Sequence, residues 1–346
     1  MSRSISFLVR MAFMRYAILN FLRSPRPIGV ICLATAGATL SSCSDPSTSP
    51  GQTRAGPSFE SAALSPDPTP DGLLIVFSRS ASQLYVMKPT SASPTPLTSL
   101  PGSNTRPAWS HDGKRITFTN CTADCEIYVM NVDGSRLANL TNNSGFDFAS
   151  AWSPDDRRLA FGSFRDGVGT HVYVMNADGS NLTRLTDAND DDFLPTWSPD
   201  GTHIAFESDS RDPNNEVYVM GADGSNPRNL TQNPANDGSP SWSPRGDKIA
   251  FHSNRDGSFQ IYVMNADGSG VTKLTNNAGD DFAPRWSPDG TRLVFMNLLN
   301  GDFDINTVKS DGTQLVQVTH DPGTNDFDPA WGISALSGNF PPQRLQ

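Results

Sequence analysis

Apolar positions in this chain come in short runs, not at helical spacing. Runs such as Ile204-Ala205-Phe206 and Val217-Tyr218-Val219-Met220 are β-branched or aromatic, and Gly, Pro, Asp and Asn bound them on both sides. That is the pattern of short strands joined by tight turns. In Ile261-Tyr262-Val263-Met264 both alternating faces are apolar, so the strand is expected to be buried on both sides, as in a sheet stacked between neighbours. Pro-Asp-Gly and Ala-Asp-Gly triplets between the runs supply the positive φ that tight hairpins require.

The runs repeat. The chain's six Trp stand at Trp109, Trp152, Trp197, Trp242, Trp286 and Trp331, with gaps of 43, 45, 45, 44 and 45 residues. A period in that range is the mark of a propeller of four-stranded blades. Nine residues lead from Trp to Phe in five copies, ending at Phe118, Phe161, Phe206, Phe251 and Phe295. A Tyr-Val-Met strand recurs at Tyr85, Tyr128, Tyr173, Tyr218 and Tyr262, with a degenerate copy at Ile305-Asn306-Thr307-Val308. Six blades result. Counting nine back from Phe77 reaches Pro68, so the first blade has its Pro70-Asp71-Gly72 turn but no Trp strand of its own. The segment Asp328-Pro329-Ala330-Trp331 follows the last complete blade and is expected to supply that strand, pairing the open edges. The expected fold is all-β: a six-bladed β-propeller over residues 68–331, closed by the C-terminal strand around Trp331, with 332–346 as a tail. At one per repeat, Trp and Met read as core, not as an aromatic or thioether site.

The phrases Trp197-Ser198-Pro199-Asp200-Gly201 with Ile204-Ala205-Phe206, and Tyr173-Val174-Met175-Asn176-Ala177-Asp178-Gly179, resemble the WD-like repeats of the TolB-type six-bladed propeller. The resemblance covers about residues 68–331. TolB proteins carry an α/β domain before the propeller, where this chain has a short linker. The resemblance therefore implies the propeller strongly, and a place in the Tol–Pal machinery only weakly.

Composition adds a cellular address. The first 42 residues hold five Arg and no acid, and they end in the apolar run Ile28 to Leu40. Thirteen residues suit the core of a secretory signal better than a spanning helix. Leu40-Ser41-Ser42-Cys43 is similar to a bacterial lipobox, and that resemblance makes Cys43 the lipidated first residue; cleavage elsewhere by signal peptidase is the alternative. Ser44, in place of Asp, implies the outer membrane by enterobacterial sorting rules, with the propeller facing the periplasm. Residues 43–67 are rich in Ser and Pro and read as a tether. Without the five leader Arg the chain keeps 26 − 5 = 21 basic against 36 acidic residues, a formal charge of −15. That balance excludes nucleic acid and adhesion to anionic lipid as bases of function. Membrane contact is then expected through the lipid anchor only, by a monomer. In an exported protein, Cys121 and Cys125 in one hairpin favour a local disulfide over a metal site.

One polar position also keeps the period. Five residues before each Trp stand Asn104, Asp147, Asp192, Asp237, Asp281 and Asp326. They begin the innermost strands, so they are expected to ring one mouth of the central channel. Loops expected on the same face carry Arg165-Asp166, Arg211-Asp212 and Arg255-Asp256. Carboxylates about 10 Å apart repel by roughly 1.7 kcal/mol at an effective dielectric near 20, so five in a ring require compensation. Either each Asp caps its turn and pairs with a loop Arg, or the mouth binds a divalent cation such as calcium, or a basic peptide segment. Replacing all five Asp by Asn is expected to weaken binding and leave the melt intact. Phe148, Phe193, Phe282 and Phe327 follow four of the acids and either pack between blades or flank the mouth.

Catalytic signatures are missing from the sequence. The five His share no metal-ligand spacing, and no Gly-x-Ser-x-Gly elbow, Walker loop or dinucleotide fingerprint occurs. The reading is a non-enzymatic cell-envelope lipoprotein whose propeller binds an envelope protein or peptide through its acidic channel mouth. A metal-assisted propeller hydrolase or lyase acting on envelope sugars or small esters is the alternative, since the ring offers many carboxylate pairs; a purely structural spacer is a third reading.

Overall fold

The computed structural model describes residues 72–91, 93–187, 191–209 and 211–333. The signal, Cys43, the tether and the segment 334–346 lie outside the described residues. Among those described, every regular element is a strand, and the strands form six four-stranded antiparallel sheets. Blade 3 is representative: Asp147–Trp152, Arg158–Ser163, His171–Asn176 and the two-residue outer strand Thr183–Arg184, in that order from the axis outwards. The first strands of successive blades touch one another around the channel.

Blade 1 is made from both ends of the propeller. Its inner strand is Asp326–Ile333, antiparallel to Leu73–Arg79, with Trp331 opposite Ile75. The chain thus closes as a ring, and no sheet stands open at the join.

The core lies in the seams between blades. Six apolar clusters are found, each spanning two neighbouring blades. In every seam the Trp of one blade rests on the strands of the blade before it: Trp197 lies with Ala160 and Val172, and Trp331 with Val294 and Ile305. The six Phe at Phe77, Phe118, Phe161, Phe206, Phe251 and Phe295 have no exposed surface. Each pairs across strands with the aromatic of the repeat where one exists, Phe206 with Tyr218 at 5.7 Å between ring centroids. The Ala-Asp-Gly turns lock the same seams. A Cβ on Gly179 would sit 2.7 Å from the Leu140 carbonyl oxygen of the preceding blade, at φ +86°, so only Gly fits.

Inner strands share two further devices. Each has a register shift, and the residue three before Trp takes positive φ: Arg106, Ala149, Leu194, Ser239, Ala283 and Asp328, at φ between 51° and 57°. The positive-φ residue is never Gly, and each such position costs about 1 kcal/mol or more. The residue two before Trp is Pro in five blades and Ser150 in the other. An inner strand pairs on one side only, and Pro removes a donor from its free edge.

Strand direction sorts the connections into two faces. Inner strands begin, and second strands end, on what is here called the mouth face. The Ser-Pro-Asp-Gly turns and the Ala-Asp-Gly turns lie on the opposite, turn face.

Candidate functional site: the channel mouth

Each polar residue of the ring opens an inner strand or stands second in it, and all six are at most 1% exposed. Their side chains do not form an open acidic wall. In four blades an arginine closes over the carboxylate. Arg165 Nη2 donates to Asp147 at 2.8 Å, Arg211 Nη2 to Asp192 at 2.8 Å, and Arg255 Nη2 to both oxygens of Asp237 at 3.1 Å. Arg79 makes a two-pronged bond to Asp326 at 2.8 and 2.9 Å and reaches Asp321 at 2.9 Å. Each guanidinium also lies over its blade's Phe and Tyr; Arg255 is 5.2 Å from the Phe251 centroid and 4.8 Å from that of Tyr262.

In blades 3, 4 and 5 the Arg-Asp dipeptide divides its labour. Arg turns inward to the ring and Asp turns outward to a tyrosine. Tyr173 donates to Asp166 at 2.5 Å, Tyr218 to Asp212 and Tyr262 to Asp256 at 2.6 Å. Burial, together with that bond to Asp166, pushes the Tyr173 hydroxyl up to about 12. Each loop is thus tied at both ends.

Blades 2 and 6 use amides instead. Asn120 donates to the Asn104 side chain at 2.8 Å, and that blade's hairpin is closed by a bond between Cys121 and Cys125. Asn297 and Asn277 donate to Asp281 at 2.7 and 3.1 Å. Burial raises the Asp281 carboxyl to about 6. Among the described residues no three His, Cys, Asp or Glu converge as metal ligands. In four of the six blades an arginine already neutralises the ring acid, so the donor set does not fit calcium.

Two of the four repeated Phe join a run of rings on one side of the mouth. Phe259, Phe282, Phe303 and Phe327 follow one another through blades 5, 6 and 1, with centroids 4.9, 6.4 and 5.0 Å apart. All but Phe259 are only half-buried. On the other side Phe148 lies 5.6 Å below the Arg106 guanidinium.

Glu207 escapes the repeat pattern. It follows the buried Phe206, where other blades carry Ser78, Thr119, Gly162, His252 and Met296. Its carboxylate crosses the seam to blade 5, accepting from Ser239 N at 2.9 Å and from Asn215 Nδ2 at 2.6 Å. The space is left by Gly238, whose added Cβ would lie 2.3 Å from a Glu207 oxygen; blades 3, 4, 6 and 1 have Phe there. Burial raises Glu207 to about 7 from 4.5. The cost of burying its charge is therefore full above pH 7 and is relieved as pH falls towards 4.5. Glu207 should make the wild type more stable at pH 5 than at pH 8, by an amount of order 3 kcal/mol. Glu207→Gln should lose that part of the pH dependence and be the more stable chain at pH 8. Urea midpoints at the two pH values decide this; parallel pH profiles for both chains would refute the assignment.

A profile of the TolB beta propeller domain matches residues 121–212 and 193–335, together more than half of the chain. No curated protein sequence matches significantly. Among solved structures, TolB from Acinetobacter baumannii superposes with a TM-score of 0.67 at 21% identity, over 75% of this chain and 66% of that one. A putative TolB from Agrobacterium tumefaciens gives 0.62 at 20% identity, over 77% and 99%. Hydrazine synthase of Kuenenia stuttgartiensis gives 0.63 at 17%, over 80% of this chain and 48% of that one. At these identities the superpositions establish the fold alone.

Proposed function

Because the chain belongs to the TolB beta propeller domain family, we propose that it is a non-enzymatic scaffold of the cell envelope, lipid-anchored through Cys43, whose channel mouth binds an envelope protein or a peptide segment of one. The observation that carries this reading is the run of half-buried rings from Phe282 to Phe327 on a rim held rigid by paired arginines. Rigid aromatic area that is already partly desolvated is what binding hot spots are made of. Asp280, Asp302 and Asp304 are partly exposed beside the rings, so the mouth favours a partner segment that presents apolar and basic side chains. The Asp ring holds the mouth in shape from beneath. Export is supported by the leader sequence and by the Cys121–Cys125 bond, which belongs to oxidising compartments. A photo-cross-linking residue at Phe303, in cells making the full chain, is the test: a discrete adduct with one envelope protein is expected.

A further inference from the structure

Four of the eight large apolar residues exposed among those described share one repeat position: Leu137 (41%), Leu182 (42%), Val271 (38%) and Leu315 (40%). Each immediately precedes the outer strand of its blade, and Pro94 and Pro227 hold that place in the other two. In five blades the residue before it has positive φ, as at Arg136 and Asn181, so the turn itself sets how this side chain is presented. All six lie on the turn face. Equivalent positions in a ring of equivalent blades share one plane at right angles to the channel axis, so a flat surface touches them together. A fifth exposed residue, Ile333 (48%), ends the inner strand of blade 1 on the same face, 3.9 Å from where a Cβ on Gly72 would stand. At Gly72 the N-terminal segment enters the propeller.

We infer that the turn face rests on the lipid bilayer, with this apolar ring in the headgroup region and the channel mouth turned away. The inference rests on the reading of Cys43 as the lipid site. A lipid attached upstream of Gly72 draws the turn face, where the chain enters, towards the membrane. Net charge supplies no pull towards anionic lipid, so the anchor brings the face to the surface and the apolar ring sets its orientation. Scattered apolar residues on a soluble surface are ordinary; a periodic set around the channel axis, on the face where the chain enters, is a footprint. The turn acids on this face, such as Asp178, are exposed, but basic residues of the same turns, such as Arg136 and Arg157, are exposed beside them.

The test uses purified full-length chain in vesicles of phosphatidylethanolamine and phosphatidylglycerol, with Leu182→Cys or Val168→Cys, and a membrane-impermeant maleimide. Val168 is in the same blade but on a mouth-face loop and is 64% exposed. Labelling at position 182 should slow about tenfold in vesicles relative to detergent, while position 168 labels equally in both. Flotation with the vesicles but equal labelling at the two positions overturns the footprint and leaves the anchor standing. Failure to float overturns the anchor, and with it the footprint.

Discussion

Ending the chain at Asn325 should abolish the folded ring, not fray one end of it. The lost segment holds the inner strand of blade 1, Asp326–Ile333, which pairs along Leu73–Arg79. Trp331, 6% exposed, belongs to the apolar cluster in the seam between blades 6 and 1. Removing a buried Trp alone costs about 3–5 kcal/mol. Truncation also uncovers the edge of Leu73–Arg79 and strips Arg79 of its Asp326 partner. Together these losses approach the roughly 5–15 kcal/mol that usually separates folded from unfolded chains. An open array of repeats loses its last repeat locally; a ring loses its closure. Circular dichroism melts should show no cooperative transition for the truncated chain and a lowered one for Trp331→Ala. An unchanged midpoint would contradict closure by this strand.

Arg165→Met should destabilise the propeller by about 3–5 kcal/mol, because Asp147 is then a buried charge without its cation. Asp147 has no exposed surface and Arg165 Nη2 sits 2.8 Å from it. The expectation that the ring acids can be neutralised without cost to the fold does not survive their burial. Converting the five ring Asp to Asn should lower the melting temperature, since four of them hold half-buried guanidinium groups in place. The double variant Asp147→Asn with Arg165→Met should recover part of the loss, because neither charge is stranded. Urea unfolding of the two single variants and the double variant checks this. Additive losses would mean that the pair is a surface contact worth little.

Much of this architecture can be read from residues that keep the period. The Trp-to-Phe interval counts blades because each Trp must reach a fixed seam and each Phe a fixed buried slot. The missing Trp before Phe77 therefore points to strand exchange at the join. The Arg-Asp loops were legible as partners of the ring for the same reason. Arg79 was not, because it reaches Asp326 from the end of a strand, two residues after Phe77, and not from a loop. Charge period alone does not distinguish an exposed carboxylate from one buried under arginine, so the burial of the ring needed the structure. Glu207 and Gly238 fit each other across a seam, and nothing in either repeat copy announces the match. Phe259 and Phe303 complete the aromatic run from hairpins outside the six-fold motif, which hid half of it. The inner-strand bulges left no trace either, since Arg, Ala, Leu, Ser and Asp all adopt the same positive φ there.

Cross-linking from the mouth, beside cross-linking from the turn face, tests the central claim most directly. Full-length chains carrying a photo-reactive residue at Phe303 or at Leu182 would be irradiated in living cells, with unmodified melts required of both. The account predicts a discrete protein adduct from position 303 and none from position 182. A protein adduct from position 182 with none from 303 would contradict it, and would move the docking surface to the opposite face.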